Sequence, residues 1–131
     1  MDVLNAGVNW NWTTYPEYME AVGARLGINA GTLIPHSAVR YYAMGEASQE
    51  DQRAATPEQL ETMKALIREG MEAGALGMSI TRNRGHYDLE GRRISGACAP
   101  DDELFAVTDV LREIGTGVIQ CGGGAGPGAG R

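Results

Sequence analysis

The sequence has no apolar run approaching the roughly 18–20 residues needed to span a bilayer. Its opening, Met1-Asp2-Val3-Leu4-Asn5, carries an acid where a signal peptide carries positive charge. These absences lead to the expectation of a cytoplasmic protein without a membrane segment. Cysteine is scarce: Cys98 and Cys121 are the only two. They are too few for a disulfide scaffold and do not form a C-x-x-C pair, so they read as reduced thiols. Basic residues are outnumbered, 11 against 17 acidic, for a formal charge of -6. They are scattered, and Arg92-Arg93 is only a pair, so nothing offers nucleic acid or an anionic membrane an electrostatic footprint. Histidine is limited to His36 and His86. With no H-x-H, H-E-x-x-H or Cys/His cluster, the chain falls short of the three or more protein ligands that zinc catalysis typically uses, and no metal ligand is assigned.

Glycine, by contrast, is abundant: 19 of 131 residues, about twice the usual ~7%. Six of these fall in residues 122–131. That stretch reads as a glycine-rich low-complexity tail, and residues 1–121 as the folded domain, with 43% hydrophobic residues to build a core. Gly124-Ala125-Gly126-Pro127-Gly128-Ala129 formally matches G-x-G-x-x-A. No helix follows it to offer an N-terminus to a phosphate.

The body reads as three strand–helix alternations. A helix starts at Thr14-Tyr15-Pro16-Glu17, runs along Met19, Val22 and Leu26, and stops at Gly27. Ile28 to Ile34 reads as a strand buried on both faces, closed by Pro35. His36 to Ala55 reads as a long loop, with room for a short helix near Val39–Met44. Thr56-Pro57-Glu58-Gln59 is a capping box with a first-turn proline, and Leu60, Met63, Ile67 and Met71 then mark one helical face. Ala75 to Ile80 is a second buried strand, and Thr81 to Pro100 a second long loop. Pro100-Asp101-Asp102-Glu103 places acids at a helix N-terminus, where they favour the macrodipole. Leu104, Val107, Leu111 and Ile114 are the expected buried face, and Val118 to Cys121 a third strand. Strands alternating with helices indicate an α/β fold with a parallel sheet.

Helix-to-strand connections are tight, whereas strand-to-helix connections are long, against the usual ~2–6 residues. Long loops at the C-terminal ends of parallel strands are where ligands bind in such folds. His36, Arg40, Ser79, Arg82 and His86 all fall on that side and form the candidate substrate-binding set. Each has a plainer reading. His36 at a strand end is a ligand or proton carrier, or else a histidine hydrogen-bonded to loop backbone. His86 is a substrate contact or a solvated loop residue. Arg40, Arg82 and Arg84 clamp a carboxylate bidentately, or are loop charges. Ser79 lacks the second glycine of a G-x-S-x-G elbow and reads more simply as a structural serine. No catalytic residue is assigned.

From Val8 to Gln120 the chain resembles the N-acyl-D-amino-acid deacylase (D-aminoacylase) branch of the amidohydrolase superfamily. The resemblance is carried by several ordered segments. Val8-Asn9-Trp10-Asn11-Trp12 leads into Tyr15-Pro16-Glu17-Tyr18. Gly27-Ile28-Asn29 precedes Leu33-Ile34-Pro35-His36-Ser37-Ala38-Val39-Arg40 and Met44-Gly45. Arg53 to Glu58, Glu72 to Ser79, Thr81-Arg82 and His86 follow. The resemblance implies a zinc-dependent hydrolase on a (β/α)8 TIM barrel, in which zinc activates water and an aspartate late in the chain moves the proton. Its substrate would be a small N-acyl-D-amino acid, with Arg82 first in line to hold the carboxylate. The family's H-x-H pair and bridging cysteine lie before the matched region, and its other metal histidines and catalytic aspartate after it. Neither Cys98 nor Cys121 takes the bridging cysteine's place.

A full barrel needs about 250 residues and eight strands, so three strand units imply an internal fragment that is catalytically inactive alone. The alternative is a stand-alone, non-catalytic α/β binding module whose open sheet edges are capped by self-association.

Overall fold

The computed structural model describes residues 6–24 and 26–123. The glycine-rich tail beyond Gly123, with its G-x-G-x-x-A match, lies outside them. The order is α1 (Tyr15–Gly23), β1 (Leu33–Pro35), α2 (His36–Met44), a 3-10 helix (Gly45–Gln49), α3 (Pro57–Glu72), β2 (Gly77–Thr81), a second 3-10 helix (Ser95–Cys98), α4 (Asp101–Ile114) and β3 (Val118–Gly122). The strands form one parallel sheet in the order β1-β2-β3. Gly77 is in register with Leu33 on one side and Val118 on the other. The fold is therefore α/β, with a three-stranded parallel sheet alternating with helices.

Local chemistry explains the helix starts. Thr14 and Thr56 accept from the backbone N–H groups of Glu17 and Gln59, whose side chains reach back to the cap backbone. Each reciprocal box satisfies orphan donors of the first turn. α3 buries Met63, Ile67 and Gly70. It shares the core with Ile34 and Met78 of the sheet and with Val107 and Val110 of α4. Burying a side chain of this size stabilises by about 1.5–3 kcal/mol.

The strands approach closely at Gly77. Its φ is +148°, and a Cβ there would lie 1.9 Å from the Val118 carbonyl oxygen. Only glycine permits this backbone conformation and this approach.

Several expectations are corrected. α1 ends at Gly23, before Leu26 and Gly27. The first strand is limited to Leu33–Pro35, and of its three residues only Ile34 is buried. Ile28 is 79% exposed; Asn29 and Gly31 interrupt the run with poor strand formers. The short helix allowed for near Val39–Met44 is present, but it starts already at His36, so no loop separates it from Pro35. Its buried stripe is His36, Val39, Arg40 and Met44, helically spaced but half polar, which hides it from an apolar-periodicity reading. On α4 the stripe is Glu103, Val107, Val110 and Leu111, while Ile114 is exposed.

β3 lies at one edge of the sheet, and all five of its residues are exposed. Beside β1, at the other edge, runs an apolar groove of about 490 Å³ lined by Trp12, Tyr15, Tyr18, Leu33, Val39 and Tyr42. Among the described residues no helix is long and apolar enough to cross a membrane.

Candidate functional site

β1 runs straight into α2 and β2 into the long connection 82–100, and the polar groups gathered around these strand ends divide into a buried cluster and an exposed rim.

The buried cluster joins α2 to the first turn of α4. Glu103 Oε1 accepts from Arg40 Nε at 2.8 Å and lies 3.2 Å from His36 Nε2. His36 and Arg40 are fully buried and Glu103 is 5% exposed. An ionised carboxylate only accepts, so in this contact Nε2 is the donor. Among the described residues, neither His36 Nδ1 nor Glu103 Oε2 has a hydrogen-bond partner. Arg40 continues outward: Nη1 donates to the carbonyls of Ser48 and Ser95, and Nη2 to that of Arg53. Four donor contacts from a group with five N–H bonds leave little for an external ligand.

The rim is less enclosed. Ser79 is half-buried in the central strand, in register with Pro35 and Gln120. Arg82 donates to the Ala99 carbonyl at 2.9 Å and to Asp101 Oδ1 at 2.8 Å, with its side chain 29% exposed. His86 is exposed, held by its backbone to Asn83 and Ile94. Asp88 accepts from the Gln49 amide and from the backbone and side chain of Arg92. These contacts, the Gln49 bond foremost, lower its carboxyl to about 2. Burial pushes the Cys98 thiol up, and the nearby Asp51 carboxylate adds to that.

Of the five residues expected from sequence, the structure brings His36 and Arg40 together through Glu103. Ser79, Arg82 and His86 make no hydrogen bond to that pair. Sequence reading missed Glu103, taking it for one of three acids at a helix start. Its spacing of four from Val107 and eight from Leu111 was the available signal.

Among the described residues, no group of three or more His, Cys, Asp and Glu side chains is placed to hold a metal ion. His36 and Glu103 offer two ligating groups, but the Arg40 guanidinium already occupies the carboxylate and would repel a cation beside it. This cluster does not fit zinc.

The chain is similar to a D-aminoacylase of Alcaligenes xylosoxydans xylosoxydans, with 32% identity over 80 residues, or 60% of this chain and 16% of that protein. It is also similar to an uncharacterized protein of Mycobacterium tuberculosis and to one of Mycobacterium bovis. Each is 40% identical over 73 residues, covering 54% of this chain and 12% of the relative. The chain thus spans a small part of the length of the curated relatives it matches. No protein-family model matches it, and no solved structure does.

Proposed function

We propose that this chain is an internal segment of an amidohydrolase acting on N-acyl-D-amino acids, contributing three βα units of a (β/α)8 barrel. The observation that carries this reading is the similarity to a D-aminoacylase over 60% of the chain. The parallel order β1-β2-β3, with helices between the strands and a long connection leaving β2, supports it. So do the two open flanks, the exposed β3 and the groove beside β1, since a barrel leaves no edge. In this reading Ser79, Arg82 and His86 face the substrate, and Arg82 holds its carboxylate. His36 and Arg40 act from the buried layer behind them. Zinc would supply an activated water, and its ligands come from flanking parts of the polypeptide. The isolated chain is inactive for that reason.

A chimera tests the reading. The matching segment of the Alcaligenes enzyme is replaced by this chain, and release of free amino acid from N-acyl-D-amino acids is measured with zinc present. Zinc-dependent turnover is expected. A folded, zinc-loaded chimera without turnover would overturn the assignment, and robust activity of the purified 131-residue chain would overturn its inactivity.

A second reading, a self-sufficient binding module, draws on the shared core built from β1, α2, α3, β2 and α4. A cooperative thermal transition together with a defined oligomer would favour it over the fragment.

A further inference from the structure

Two loops leaving neighbouring strands move independently when each is held only at its own ends. Here the connection after α2 and the connection after β2 are tied at several points. The Gln49 amide donates to Asp88 Oδ2 at 2.9 Å and to the Arg93 carbonyl at 3.0 Å. The Gln52 N–H donates to the Cys98 carbonyl at 2.9 Å, and the Cys98 thiol donates back to the Gln49 carbonyl at 3.2 Å. On the outside, Arg92 reaches Glu46 at 3.2 Å. At the centre Arg40 holds carbonyls of both loops at once, Ser48 and Arg53 in one and Ser95 in the other.

These ties are polar. The apolar share of the loops is small: Ala97, Cys98 and Ala99 are buried in one, and Ala55 of the other packs against the central hydrophobic cluster. The loops thus hold together mainly through polar ties and few apolar contacts, which is the condition for local opening below the global unfolding free energy.

We propose that residues 45–56 and 82–99 form one cooperative rim unit that opens and closes as a whole over the strand ends. Arg40 is its hub, and Glu103 is the positioning residue that orients and neutralises the hub. The two loops thus set the shape of the rim jointly, and a perturbation of one is transmitted to the other. Equilibrium coupling of this kind is reciprocal.

The test uses substitutions confined to one loop and reads the other. The Ser48 hydroxyl donates only to the Gly45 carbonyl, and the Asn83 side chain accepts only from the Gly85 N–H. Amide hydrogen exchange is followed by NMR on the full chain. The reporters are Arg53, which donates to the Glu50 carbonyl, and Ile94, which donates to that of His86. Ser48→Ala is expected to speed exchange at Ile94 as much as at Arg53, and Asn83→Ala at Arg53 as much as at Ile94, by about tenfold, with the amides of α3 unchanged. Glu103→Gln, which keeps the side-chain shape and removes its charge, is expected to speed both reporters together. A response confined to the substituted loop, absent from both loops, or spread into α3 would overturn the proposal. Ser48→Ala and Asn83→Ala decide the matter even where Glu103→Gln fails to fold.

Discussion

Glu103 on α4 accepts a 2.8 Å hydrogen bond from Arg40 on α2, although 63 positions separate the two residues. Both are buried, so neither charge has bulk water to fall back on. Removing one partner of such a pair strands the other, at a cost of about 3–5 kcal/mol. Glu103→Ala is expected to fall in that range by urea denaturation. Arg40→Met combined with Glu103→Leu is expected to lose less than the sum of the two single changes. A strictly additive cycle would show that the pair is not coupled.

Gly77→Ala is expected to destabilise the chain by more than about 3 kcal/mol, because the new methyl meets the Val118 backbone at a positive φ. Gly27→Ala is the control. Its Cβ meets nothing within 4 Å, and its effect is expected within about 0.5 kcal/mol. Thermal melts of the two variants side by side make the comparison.

Acid is expected to loosen the rim before the core. The Asp88 carboxyl is lowered from 3.8 to about 2 by Gln49 and Arg92. A lowered folded-state value means that its contribution is fully present above the ordinary carboxylate range. That contribution is lost as pH falls from about 4 towards 2. Asp88→Asn should flatten the pH dependence of exchange at Ile94 across that interval, and NMR titration of the Asp88 carboxyl gives its midpoint directly. An ordinary midpoint would contradict the described contacts.

The two thiols should differ sharply. Cys121 is exposed on β3, whereas Cys98 is buried and its thiol is shifted up. The thiolate is the reactive form. A disulfide reagent is therefore expected to titrate Cys121 in the native chain, and Cys98 only after the rim opens or the chain unfolds. Cys121→Ser isolates the slow reaction, whose rate then reports rim opening.

The parts of the fold that were legible in sequence are those in which local chemistry and burial agree. α3 announces itself through Thr56-Pro57-Glu58-Gln59 and the stripe of Met63 and Ile67, and the structure places it there. α2 was legible only over Val39–Met44, and its start at His36 was hidden because the inward face carries His36 and Arg40, which an apolar-periodicity reading assigns to solvent. Glu103 was hidden for the same reason, and its helix-start position supplied a sufficient explanation by itself. β1 was overestimated because isoleucine and leucine outweighed Asn29 and Gly31. Arg40 was marked as a candidate, but its contacts are not readable from sequence. Three of its four partners are backbone carbonyls, which every residue type carries and which leave no compositional signature.

Pro35 closes β1 and His36 opens α2 with no residue between them. The junction therefore has no slack. An added or deleted residue there would rotate α2 by about 100° about its axis, carrying His36 and Arg40 away from Glu103 together. Length variation among homologous genes should accordingly be absent at this join. It should gather instead around the outward-facing Leu89, which is 84% exposed, where an insertion lengthens the turn and leaves the helix phase untouched.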